Sequence, residues 1–276
     1  MKSLIFVFIL ILNVQAFAQV QSTSSKFHLL NMKCESVSDG LAEASPQSPP
    51  LDVDDPGTPG CNKWEINVLS SGDFARGEQH LDLPLLDINF GIGDNLQLKY
   101  EVPMEQNQID GNTESNVGNS KYGIKYLFFE DEGSDTQLGF YPQVESGDGS
   151  IVTIPLLLST KIGTVRTGDL MFSTNIGYNL SSKKDVQNSG FALAGIGMPI
   201  LRRVSVMGEL SAEEAVARGE DGVREELVKV NIGMVGAINK QFLLFGSLGE
   251  SLISSDHLQH AYALAGFRVL TNTFGL

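Results

Sequence analysis

Between Leu86 and Val102 the side chains change character at every step. Leu86, Ile88, Phe90 and Ile92 are apolar, while Asp87, Asn89, Gly91 and Gly93 between them are small or polar. That period of two is the signature of a strand with one greasy and one wet face. Gly93-Asp94-Asn95 supplies turn chemistry, and alternation resumes in Leu96, Leu98, Tyr100 and Val102 against Gln97, Lys99 and Glu101. The stretch therefore reads as one amphipathic hairpin, and the chain after it as repetitions of that unit.

Twelve candidate strands follow from Lys63 onward. The first carries Trp64, Ile66 and Val68; the hairpin above is the second and third. Tyr122 to Phe128 form the fourth, Leu138 and Phe140 the fifth, and Ile151 to Lys161 the sixth. The seventh is the clearest, with Leu170, Phe172, Thr174, Ile176, Tyr178 and Leu180 interleaved with smaller or polar residues. Phe191 to Ile200, Val204 to Leu210 and Val228 to Met234 make the eighth to tenth; Phe242 to Leu248 and Tyr262 to Leu270 are strands by composition. Short connections such as 93–95, 162–167 and 201–203 fall after even-numbered strands. Longer ones, such as 103–118 and 211–225, follow odd-numbered strands. Short turns at one end, long loops at the other and an even strand count describe a transmembrane antiparallel up-and-down β-barrel with both termini on the short-turn side. Strands of about ten residues match a tilted crossing of hydrocarbon. Trp64, Tyr100, Tyr126, Phe128 and Tyr178 near strand ends suit interfacial girdles. A secreted soluble barrel or sandwich also alternates, but the wet faces here are too polar for a dry core.

The ends set the compartment. Residues 1–18 read as a signal peptide: Lys2, an apolar run from Leu4 to Val14 too short to span a bilayer, and Ala16-Phe17-Ala18 before Gln19. Losing Lys2 from 19 Lys and Arg leaves 18 against 33 Asp and Glu, a mature charge near −15. That balance disfavours nucleic acid as a partner. Residues 19–62 form an irregular extension rich in Pro, Ser and Asp, in which Pro46, Pro49, Pro50, Pro56 and Pro59 forbid regular structure. The extension is expected in the periplasm, lying across the barrel mouth or, the simpler reading, loose. Cys34 and Cys61 within it either pair, a loop worth about 3 to 4 kcal/mol in a chain-entropy description, or remain two thiols. Residues 63–276 are assigned to the barrel.

Asp55-Pro56-Gly57-Thr58-Pro59-Gly60 before Trp64-Glu65-Ile66-Asn67 resembles the family of outer-membrane proteins named after the meta-pathway of phenol degradation. The likeness continues in Leu86 to Asp94, Leu98 to Pro103, Gly123 to Tyr126, Tyr141-Pro142-Gln143 and Gly208-Glu209-Leu210. The resemblance implies an outer-membrane, transporter-like barrel for small molecules, hydrophobic or aromatic ones among them. Two departures stand against it: the chain continues past its last strand as Thr271 to Leu276, and the cysteine pair and acidic leader are additions.

Alternation directs Glu65, Asp87, Glu101 and Glu209, with Lys99, Lys125, Lys229 and Arg268, into the lumen. Mixed charges there either brace the barrel or border a wet path. His80, His257 and His260 are close enough to strands one, two and twelve to meet at the outer mouth as weak metal candidates; solvated loop histidines are the plainer reading. A Ser-His-Asn lipid hydrolase is a remote alternative, because no histidine sits mid-strand beside an obvious serine. No cofactor motif occurs. The expected partners are the lipid bilayer, lipopolysaccharide facing the acidic Glu213 to Glu226 loop, a small-molecule solute and the barrel-assembly machinery. The resulting expectation is a passive outer-membrane conduit, with a closed structural or surface-interaction barrel as the alternative.

Overall fold

The computed structural model describes residues 25–27, 34, 44–45, 51–109, 111–147, 149–184, 186–216 and 224–272. The expected signal peptide and much of the acidic 211–225 loop lie outside them. The strands are β1 (Ser25–Phe27), β2 (Lys63–Ala75), β3 (Glu78–Ile92), β4 (Leu96–Ile109), β5 (Asn112–Val117), β6 (Ser120–Asp131), β7 (Thr136–Phe140), β8 (Gln143–Gly147), β9 (Gly149–Val165), β10 (Gly168–Ser181), β11 (Ser189–Leu201), β12 (Val204–Ala215), β13 (Glu226–Ala237), β14 (Phe242–Ser254) and β15 (Ala261–Asn272). All pairings are antiparallel neighbours, and β15 returns to pair with β2 from Ala261↔Phe74 to Asn272↔Lys63, which closes the wall. Closure removes every long strand edge from the surface.

Twelve wall positions result, as the alternation implies. β7 and β8 share one of them, broken at Tyr141 and Pro142; both pair with β6 on one side and β9 on the other. β1 is a short addition against the end of β6 that β4 does not reach, with Phe27 packed on Phe129 at 4.9 Å.

Outer positions are apolar and open. Ile232 and Leu248 are 64% and 65% exposed, and Leu98, Ile124, Leu156, Ile196, Met234, Leu244 and Leu252 form the same band around the barrel. In water such a surface would be costly; against hydrocarbon it is the natural one. Trp64 stacks near Phe90 at 4.5 Å and Tyr100 near Tyr122 at 5.3 Å on that face.

The two rims differ from the expectation. At the near rim, where β2 begins and β15 ends, turns are short, as at 93–95 with Gly93 at φ 59. At the far rim several expected loops are strand instead. β2 and β3 run out to a two-residue turn at 76–77, and β4 and β5 extend a hairpin from Met104↔Val117 to Ile109↔Asn112. Both faces of this hairpin meet water, so Glu105 to Gln108 and Asn112 to Asn116 are polar on both sides and carry no period of two.

The largest correction concerns the extension. Instead of lying loose, its segment from Leu51 to Gly60 sits inside the barrel. Val53 is 3% exposed against Phe191, Leu193 and Met207, with Leu51 beside them. The inner wall makes room with glycine. A Cβ on Gly91 would lie 1.9 Å from the Gly60 carbonyl oxygen, and one on Gly139 would meet Pro56 Cβ at 3.0 Å. Leu51 packs in the same way over Gly233, and Val53 over Gly195. Positive φ at Gly60 and Asn62 then turns the chain into β2, and Asn62 N donates to Gly91 O at 3.0 Å. Cys34 and Cys61 are joined as a disulfide, with their Cα atoms 5.5 Å apart.

Candidate functional site: a plugged lumen

Inward positions of adjacent strands stand side by side, so residues spaced by two along the chain become a ladder across the wall. From β15 to β6 that ladder is ionic. Arg268 lies 3.3 Å from Glu65 and donates to Asn67 at 2.8 Å; Asn67 donates to Asp87 at 2.9 Å. Lys99 reaches Asp87 at 3.6 Å and Glu101 at 2.6 Å, and Lys121 closes on Glu101 from the next strand at 3.3 Å. Each acid thus has a base or an amide beside it, the arrangement that makes partly buried charge tolerable.

The plug continues this chemistry on its own side. Val53 N donates to Glu209 at 2.6 Å, and Asn231 holds the other oxygen of that carboxylate at 2.8 Å. Asp54 and Asn175 exchange two hydrogen bonds, backbone N to Oδ1 at 2.7 Å and Nδ2 to backbone O at 2.8 Å. Asn175 therefore reads the plug as if it were a neighbouring strand. Lys125 donates to the Asp55 carbonyl at 2.9 Å, lies 3.7 Å from the Asp54 carboxylate, and sits 4.7 Å above the Tyr141 ring. Lys229 pairs with Asp52 and lies 4.9 Å over Tyr262. Nearer the short-turn rim, Thr58 donates to Asp94 O at 3.1 Å and Ser205 donates to Ala44 O.

What the plug leaves open lies along the ionic side. One cavity of about 280 Å³ is lined by Asp55, Thr58, Glu65, Asn89, Lys125 and Tyr141 among others. A second of about 440 Å³ is lined by Asp52, Asn67, Ser71, Glu101 and Lys121 among others. The two share Asp54, Asp55, Asp87, Lys99 and Arg268, so they adjoin.

All eight lumen charges singled out in the sequence face this interior, in two groups. Glu65, Asp87, Lys99, Glu101, Lys125 and Arg268 border the cavities, whereas Glu209 and Lys229 hold the plug. Sequence reasoning missed Lys121, Asn175, Tyr141 and the plug acids Asp52, Asp54 and Asp55. Lys121 sits at an inner position four residues before Lys125 and was within reach of the alternation. The plug acids were not, because their segment has no period.

The three histidines do not gather. Both ring nitrogens of His260 are held by carboxylates, Asp73 at 2.9 Å and Asp256 at 2.8 Å. His80 belongs to a different group, with Asp82 and Glu105 within 4.8 Å of one another and Asn107 on its other ring nitrogen. His257 sits in a turn at φ 62. In His260, burial pulls the imidazole pKa down, but the bonds to Asp256 and Asp73 outweigh it and raise it above its ordinary 6.5. Burial likewise pushes Asp256 up, and hydrogen bonds from Ser254, the Leu258 amide and His260 reverse this and hold it at about 2.

No protein-family model matches the chain, and no curated protein matches it in sequence. Solved structures do match in shape. An outer membrane channel from Pseudomonas putida F1 is similar with a TM-score of 0.61 at 13% identity, over 86% of this chain and 99% of that one. The KdgM porin in complex with disordered oligogalacturonate gives 0.54 at 11%, over 74% and 98%. The NanC porin gives 0.53 at 11%, over the same shares of the two chains. At these identities the likeness is one of fold: the chain is built as a twelve-stranded barrel of the outer-membrane kind.

Proposed function

We propose that the protein is a bacterial outer-membrane channel that passes small polar solutes along the ionic side of its lumen, past a resident plug. The observation that carries this reading is the asymmetry of the interior. Phe191, Leu193 and Met207 close one side against Val53, while beside the other run two adjoining cavities, the first lined by charge and amide groups and the second by such groups together with Leu51, Val53, Leu69, Leu85, Phe245 and Leu264. A wall built only to be shut would pack that side too. The apolar outer band and the aromatic pairs support a place in a bilayer, and the near rim, holding both ends of the barrel, then faces the periplasm. The far rim faces outward, where its acidic loop would meet lipopolysaccharide. The charged and amide groups of both cavities favour polar passengers, and Leu69, Leu85, Phe245 and Leu264 in the second give room for an apolar portion on them. Glu65, Asp87, Lys99, Glu101, Lys125 and Arg268 border the path in this reading; Glu209 and Lys229 anchor the plug.

The closed structural barrel keeps one observation in its favour, the pairing of nearly every lumenal charge. Purified protein in planar bilayers separates the two: discrete conductance steps are expected of the channel, and a silent membrane under high salt would reject it. Membrane fractionation with heat-dependent gel mobility checks the bilayer assignment independently.

A further inference from the structure

We infer that the plug sets the charge preference of this channel, converting a faintly cationic wall into a path for small cations and amine-bearing solutes. The inference rests on the channel reading above. Around the plug and the two cavities the wall contributes five bases, Lys99, Lys121, Lys125, Lys229 and Arg268, against four acids, Glu65, Asp87, Glu101 and Glu209. The bare wall is therefore one charge positive. The plug adds Asp52, Asp54 and Asp55 and no base between Leu51 and Gly60, which brings the same section to two negative.

The placement of these acids matters more than their number. Asp52 is occupied by Lys229, and Asp54 has Lys125 beside it. Asp55 is different. Among the described residues no Lys or Arg closes an ion pair with its carboxylate, which accepts from the Gly57 amide at 2.6 Å while Lys125 bonds its backbone oxygen instead. It is also one of the five residues common to both cavities, so it borders the path wherever a solute moves from one to the other. The bases there are engaged: Lys99 by Asp87 and Glu101, Arg268 by Glu65. Asp55, which Lys125 and Arg268 reach only through space, is thus a negative charge without a salt bridge where the two cavities adjoin, and the Tyr141 ring face in the first cavity carries the Lys125 ammonium. Asp73, Asp82, Glu105 and Asp256 at the far rim add a field of the same sign, which concentrates cations at the mouth.

Reversal potentials across a potassium chloride gradient test this. Native protein should favour potassium over chloride. Asp55→Asn, which leaves both plug ion pairs in place, should lower the permeability ratio about threefold, the weight of one unit charge acting across a few ångströms of water. Asp55→Glu should restore the native ratio, and Asp52→Asn, Asp54→Asn and Asp55→Asn together should reverse the preference. A native channel that favours chloride, or an Asp55→Asn ratio equal to the native one, overturns the inference while leaving the channel reading intact. Absence of conductance in native protein and variants alike removes both.

Discussion

The two halves of the lumen solve the same problem in opposite ways. Along β11 to β13 the inner wall meets Leu51 and Val53 of the plug through Phe191, Leu193, Met207 and the glycines Gly195 and Gly233, and Val53 and Met207 are buried. From β15 through β2, β3 and β4 to β6 the wall carries a ladder of charges and amides, and open volume remains beside it. Apolar packing has no use for solvent, whereas a charged ladder needs either water or a complete set of partners. The barrel thus holds the plug by apolar packing and polar bonds together, and keeps a further set of polar groups beside open volume.

The sharpest way to break that division is Val53→Asp. It removes apolar burial of about 1.5 to 3 kcal/mol and sets a carboxylate beside Glu209, whose oxygen already accepts from the Val53 amide. The plug should leave, with a several-fold rise in single-channel conductance and new protease cleavage within 51–60. Lys99→Met attacks the other half. It leaves Asp87 without a base and Glu101 with Lys121 alone and should lower barrel stability by about 3 kcal/mol, read as an earlier heat-modification midpoint. Because the plug's own contacts are untouched, it should stay protected from protease.

Gly91→Ala, on β3, tests more gently how the ionic side makes room for the plug. Its methyl group would fall 1.9 Å from the Gly60 carbonyl oxygen, so the plug's last turn must shift at a cost of about 2 kcal/mol. Gly208→Ala is the matched control, since its Cβ meets nothing within 4 Å; only the first should change conductance. The smallest effect belongs to the far-rim loop 255–260, away from both halves. The raised His260 pKa means its contribution is complete below about pH 6.5 and fades as pH rises through the folded value. Asp256, held at about 2, contributes fully above about pH 4 and loses that as pH falls towards 2. Amide exchange in this loop, corrected for its intrinsic pH dependence, should be slowest between these limits. It should lose its upper limit in His260→Gln, with no change in conductance.

The wall was legible because lipid demands an apolar residue at every second position, and Ile88, Tyr100, Ile176 and Ile232 obey that demand on four separate strands. The ionic ladder was legible for the same reason: whatever alternates with the lipid face must point inward. The plug was not. Leu51, Val53 and Pro56 each seat against one wall residue or small group, so no ladder or face imposes a period on them. The signal that could have found it was indirect, namely glycines at inward positions on β3, β7, β11 and β13, where a channel wall alone has no need of missing side chains. The hairpin of β4 and β5 escaped notice for a further reason. Beyond the bilayer both faces of a strand meet water, and Glu105 to Gln108 are polar on each.

The bond between Cys34 and Cys61 changes what kind of object occupies the lumen. Cys61 lies two residues before β2, so the bond ties the plug segment 51–60 into a covalent loop closed beside the start of the wall. Such a bight has no free tip. It is tethered at both ends, and reduction would leave the plug segment held by covalent chain to the wall at Lys63 alone.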